Sequence, residues 1–169
     1  EEPSASPEAR ARTRALRLLA HRERTRRGLE RILARAGLPR AAVGRALDEL
    51  EARGLLSDLR YARLYLGAQA RARPRSQCLL RRDLLRAGVA RETANQAIAE
   101  AGPDLAEETL ACAAARNKLR TAGNDPAKLS RLLRARGFSP GVVRRAVVEL
   151  LGSVPVEGRE GRDARDEDA

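Results

Sequence analysis

The chain has 169 residues, 34 lysines and arginines against 23 aspartates and glutamates, and only three aromatic residues, Tyr61, Tyr65 and Phe138. That length suits one domain or a few small modules sharing interfaces, and the core has to be assembled from Leu, Ile, Val and Ala. No uncharged apolar run approaches the roughly 20 residues needed to cross a bilayer, and no secretory signal is recognisable, so a cytoplasmic protein without a membrane partner is expected.

Residues 1–10 are rich in Pro, Ser and charge and are expected to be disordered. A unit of about fifty residues then occurs three times. Leu29, Leu33, Gly37, Leu38, Val43, Leu47, Glu49 and Leu50 recur 51 residues later as Leu80, Leu84, Gly88, Val89, Ala94, Ile98, Glu100 and Ala101. A further 49 residues on they recur as Leu129, Leu133, Gly137, Phe138, Val143, Val147, Glu149 and Leu150. Repeats of this period bury their apolar faces against their neighbours.

The first repeat covers residues 11–56. Leu16, Leu18 and Leu19 suggest its opening helix. Leu29, Ile32, Leu33 and Ala36, at i, i+3, i+4 and i+7, form one stripe of a second. Thr25 is placed to accept a hydrogen bond as N-cap, and Gly37 to close the helix in the left-handed conformation so that Leu38 packs back. A third helix is expected near 40–53.

The second repeat, 57–101, has the same plan: Tyr61 to Leu66, the cap Ser76, the stripe Leu80, Leu84 and Ala87 interrupted by Asp83, the stop Gly88, and a helix near 91–101. In the third, 102–151, Leu105 to Leu119 open, Asp125 caps, Pro126 takes the first helical position where its missing N–H is harmless, and Gly137 stops the helix before a last one at 140–151. Residues 152–169 read as a disordered charged tail. The fold is all-α: three tandem three-helix repeats forming an elongated, curved helical array. Cys78 and Cys112 have no metal-ligand or redox spacing and are expected to be buried small hydrophobes.

The net charge of +11 is unevenly placed. Between Arg10 and Arg91 there are 22 arginines and seven acids, whereas residues 92–169 carry 12 basic and 13 acidic side chains. Such asymmetry is the footprint expected for a polyanion or an acidic protein groove. Arg22, Arg24, Arg31, Arg35 and Arg40 of the first repeat align with Arg73, Arg75, Arg82, Arg86 and Arg91 of the second; the third keeps only Arg131 and has Ala122, Asn124, Ala135 and Pro140 elsewhere. These ten arginines are the candidate binding residues for a partner or for DNA, and guanidinium groups suit phosphate or carboxylate. An ordinary solvated face carried along by duplication is the competing reading.

Reading of base edges is not expected, because Asn95 and Gln96 are the only such pair on a second helix, and base stacking lacks aromatic platforms. Contact with single- or double-stranded DNA would run through phosphates and depend strongly on salt. Nothing suggests catalysis. His21 stands alone among arginines, there is no Gly-rich phosphate loop and no nucleophile–base pair, and Asp48, Glu49 and Glu51 are expected to pair with arginines. No enzyme activity, cofactor or metal is expected.

Four segments of the chain resemble the RecX family, regulators of the RecA recombinase. The segment RALRLLAHRERTRRGLERILARAG resembles the family's opening repeat. GLLSDLRYARLYL resembles its junction motif through Gly54, Leu55, Asp58, Tyr61 and Ala62, with Ser57 in place of the first of the usual acidic pair. RRDLLRAGV and RLLRARGFSPGVVRRAV resemble the second- and third-repeat helices, and Arg73 and Pro74 replace the usual Gly and basic residue. The resemblance implies a non-enzymatic, monomeric negative regulator that binds in the groove of the RecA–DNA filament, limits its growth and lowers its ATPase, strand-exchange and coprotease activities. A stand-alone, non-specific basic DNA-binding module is the alternative.

Overall fold

The computed structural model describes residues 6–122 and 125–152, the side chains of 120–122 excepted. Nine α-helices are found there: α1 Pro7–His21, α2 Arg26–Arg35, α3 Arg40–Ala52, α4 Asp58–Ala72, α5 Gln77–Ala87, α6 Arg91–Glu100, α7 Glu107–Ala122, α8 Pro126–Ala135 and α9 Pro140–Leu151. A short 3₁₀ turn, Gly102–Leu105, joins α6 to α7. Among the described residues there is no strand, and no helix is long and apolar enough to cross a membrane. The fold is all-α, in three successive sets of three helices.

Local chemistry accounts for the boundaries. Thr25 Oγ1 accepts from the Gly28 N–H at 3.0 Å, Ser76 Oγ from Leu79 at 3.4 Å, and Asp125 Oδ1 from Ala127 and Lys128 at 2.9 and 3.1 Å. Each satisfies donors that the first turn leaves free. Gly37, Gly88 and Gly137 all have positive φ, and Leu38, Val89 and Phe138 fold back into the core.

Two expectations need correction. α1 begins at Pro7, so residues 7–10 of the segment read as disordered are helical. Ser6 Oγ accepts from the Ala9 N–H at 3.2 Å, Pro7 occupies the first helical position and Glu8 the first turn; this Ser-Pro-Glu is a helix start rather than a flexible stretch. Cys78 is exposed, and only Cys112 is buried. Residues 1–5, Asn124 and, in the C-terminal tail, residues 153–169 lie outside the described residues.

The core is in two pieces. Ala11, Ala15, Leu29, Leu33, Leu38, Val43, Ala46, Leu47, Leu50 and Leu56 form one cluster wholly within the first repeat. A second, larger cluster runs continuously through repeats two and three, from Ala62 and Leu66 to Val143 and Ala146. The first repeat is fastened to the second by polar contacts. Arg60 Nε donates to Glu23 at 2.6 Å while its terminal nitrogens donate to the Gly54 and Leu55 carbonyls.

Successive middle helices meet end to end. The carboxy-terminal end of α5 abuts the amino-terminal end of α2, where the Thr25 hydroxyl donates to the Ala87 carbonyl. The end of α8 meets the start of α5 in the same way, the Ser76 N–H donating to the Arg136 carbonyl at 3.0 Å. Positive and negative dipole ends are thereby brought together. The approach is close enough that a Cβ on Gly88 would lie 2.5 Å from the Cβ of Arg27, and one on Gly137 2.6 Å from Ser76 Oγ, whereas Gly37 faces open space. Acids at the start of the next repeat complete each joint: Asp58 Oδ1 accepts from the Arg26 N–H at 2.8 Å, and Glu107 Oε1 from the Gln77 N–H at 2.7 Å.

Candidate functional site

The same shallow groove forms in repeats one and two, between the middle and third helices. In the first it runs between α2 and α3 and is lined by Arg26, Glu30, Arg31, Arg40 and Gly44, among others. In the second it runs between α5 and α6, with Gln77, Arg81, Arg91 and Asn95. A shift of 51 residues carries Arg26, Glu30, Arg40 and Gly44 onto Gln77, Arg81, Arg91 and Asn95. The linings differ in how their charges are paired. Arg26 is neutralised by Glu30, Asp48 and Glu51 at 3.1, 2.7 and 2.5 Å, which leaves Arg31 and Arg40 as the cations of the first groove with no acidic partner among the described residues. In the second, Arg81 donates to the neutral Asn95 at 2.7 Å, so Arg81 and Arg91 both keep their charge.

Eight of the ten aligned arginines are exposed: Arg22, Arg31, Arg35, Arg40, Arg73, Arg82, Arg86 and Arg91. None of the eight pairs with a carboxylate of a described residue. Arg31 and Arg35 stand one turn apart on α2, and Arg82 and Arg86 on α5. The other two are half-buried. Arg24 has its Nε buried without a partner.

Arg75 is held inside the protein. Its Nη2 donates to the Tyr65 hydroxyl at 3.0 Å and to Gln69 Oε1 at 3.2 Å, and pairs with Asp83 Oδ2 at 2.8 Å. Tyr65 in turn donates to Asp83 at 3.0 Å; burial, reinforced by this bond, pushes its phenol up to about 12. Asp83 interrupts the apolar stripe of α5 because it anchors this network. Asp48 and Glu51, together with Glu49, which pairs with Arg12 and Arg53, are likewise engaged with arginines.

Comparison of the repeats missed three cations because each is unique to its copy. Exposed Arg27 packs its aliphatic stem over Gly88, at the end-to-end junction of α2 and α5. Arg81 replaces Glu30. Arg136 takes the column of Ala36 and Ala87, and its Nη1 donates to the Pro74 carbonyl at 3.3 Å. Burial, with the neighbouring charge of Arg73, lowers its pKa. The third repeat therefore adds a guanidinium beside the second repeat's Arg73.

The junction residues have architectural roles. Gly54 turns at φ 67° and Asp58 caps α2, its carboxyl pushed up by burial. Tyr61 stacks on Tyr65 with ring centroids 6.3 Å apart, and Ala62 is fully buried in the core. Among the described residues no group of three or more His, Cys, Asp or Glu side chains could hold a metal ion.

Known proteins of the same build were found by both sequence and fold. Residues 11–50 match the family model described as "RecX, first three-helix domain". The chain is 36% identical over 140 residues to the regulatory protein RecX of Treponema pallidum, covering 82% of this chain and 85% of the relative. It is 35% identical over 143 residues to that of Chromohalobacter salexigens, covering 83% and 92%. The crystal structure of RecX from Lactobacillus salivarius superposes with a TM-score of 0.72 at 19% identity, over 85% of this chain and 96% of that one; this likeness concerns the fold alone. With three-helix repeats in the same order and identities above 30% across most of its length, the chain belongs to the RecX family.

Proposed function

We propose that this chain is a non-enzymatic regulator of the RecA recombinase that acts as a cytoplasmic monomer. In this reading it binds in the groove of the RecA–DNA filament, limits filament growth and lowers ATPase, strand-exchange and coprotease activity. The observation that carries the proposal is the set of eight arginines that recur between repeats one and two, all exposed and none paired with a carboxylate of a described residue. A groove walled by acidic protein and DNA phosphate complements such a surface, and the guanidinium fork serves either acceptor. Family membership supplies the choice of partner; the charge distribution supplies the surface.

The test uses filament ATPase and strand exchange with sub-stoichiometric amounts of the chain, beside a variant with Arg31, Arg35, Arg82 and Arg86 all changed to Gln. Wild type is expected to suppress both activities and the variant to lose co-sedimentation with the filament across a salt series. Unchanged activities with wild type would overturn the proposal. Equal affinity for bare and recombinase-coated DNA, collapsing at moderate salt, would point instead to the non-specific DNA-binding module.

A further inference from the structure

α1 presents a second cationic face, separate from both grooves. Arg10, Arg14, Arg17 and His21 fall at i, i+4, i+7 and i+11 and line an open furrow along this helix together with Thr13 and Leu18. All four are exposed, and none of the three arginines has an ion pair or a side-chain hydrogen bond to a described residue. The nearby acids are engaged elsewhere: Glu8 with Arg12 and Arg45, Glu49 with Arg12 and Arg53.

Two of these four positions pack inward in the other repeats. Arg10 and Arg14 occupy the columns of Tyr61 and Tyr65, which are half-buried in α4, and of Leu110 and Ala114, which are buried in α7. A helix face that no neighbouring repeat covers needs polar side chains for solubility. Solubility alone is met by mixed charges, which also stabilise a helix through i,i+4 pairs. A stripe of one sign repels itself instead, and an anion lying along it relieves that cost.

We infer that this face of α1 is a docking site for the sugar–phosphate backbone of duplex nucleic acid. The three arginines span about 10 Å at 1.5 Å per residue, long enough to follow roughly three phosphates of one strand at 3.4 Å each. Guanidinium groups accept phosphate geometry in bidentate fashion. α1 has no aromatic residue on which an unpaired base could stack. The furrow also lacks the aromatic anchors that dominate protein–protein contacts, Leu18 being its one large apolar residue. It shares no residue with the grooves of repeats one and two, so it does not depend on what those grooves bind.

The experiment titrates the full chain into a fluorescently labelled mixed-sequence duplex across a potassium chloride series. Three proteins are compared: wild type, R10Q/R14Q/R17Q, and the charge-matched control R131Q/R134Q/R144Q, whose positions are exposed on repeat three. For the α1 variant the slope of log Kobs against log salt is expected to fall by about 2 to 3, at roughly 0.9 per phosphate lost; the control should stay near wild type. Should the triple variant melt early, the single change R14Q is expected to lower the slope by about 0.9. An α1 variant with the wild-type slope, or two triple variants with equal losses, would overturn the inference. So would loss of binding to polyglutamate with duplex binding intact, which would assign the face to an acidic protein. Filament co-sedimentation of the α2–α5 variant is a separate measurement, so failure here and failure of the filament reading are distinguishable.

Discussion

Thr25 holds two repeats together through one hydroxyl: its Oγ1 accepts the Gly28 N–H at 3.0 Å and donates to the Ala87 carbonyl at 2.7 Å, 62 residues away. The side chain is 3% exposed, so neither bond can be replaced by bulk water. The one hydroxyl thus serves a cap and a joint at once.

Replacing Thr25 by Val keeps the shape and removes both bonds. A lost N-cap costs about 1 kcal/mol, and the unpaired Ala87 carbonyl adds about 1–3 kcal/mol. Urea unfolding should show a loss of this order for Thr25→Val and a much smaller one for Thr25→Ser. Equal losses for the two would mean that the hydroxyl is not what matters.

Gly37 and Gly88 share a left-handed backbone but not surroundings. Gly37→Ala should cost about 1–2 kcal/mol, the strain of an L residue in that conformation. Gly88→Ala should cost clearly more, because its Cβ would meet the stem of Arg27 as well. Thermal melting of the two single variants side by side decides the order.

Tyr65 makes the chain sensitive to alkali. The unfolded phenol titrates near 10 and the folded one near 12, so the native state keeps its proton longer. Its stabilising effect is whole below pH 10 and is lost as pH rises from 10 to 12. Tyr65→Phe is expected to be less stable than wild type at neutral pH, with the gap narrowing across that window. A gap that stays constant from pH 9 to 12 would contradict the assignment.

The two thiols should react at different rates. Cys78 is exposed. Cys112 is buried; burial first, and then its bond to Glu149 at 3.2 Å, push the thiol up to about 11. A chromogenic disulfide reagent near pH 8 should titrate one thiol quickly and the second only with unfolding. Two fast equivalents would show that α7 and α9 open readily.

The repeats were legible in the sequence because each helix carries its own start and stop. Thr25, Ser76 and Asp125 cap, and Gly37, Gly88 and Gly137 terminate, through contacts within a few residues. The ten arginines were found by aligning copies, and the same procedure hid Arg27, Arg81 and Arg136, which have no counterpart. Asp83 looked like a flaw in an apolar stripe because its partners, Tyr65 and Arg75, come from outside α5. Ser6 and Pro7 form a helix start that their composition disguised. The division of the core was not legible either: periodicity tells which side chains of α2 are buried, not whether their neighbours belong to the same repeat.

That division bears on how the chain is made. Every residue of the first cluster lies between Ala11 and Leu56, so its apolar contacts can close once that stretch has left the ribosome. The helices α4 to α6 share their interior with α7 to α9 and have to wait until those helices have emerged before their packing is complete. A first repeat that folds early and a second and third repeat that fold as one block follow from where the leucines meet, and ribosome-stalled chains of increasing length would display the two steps.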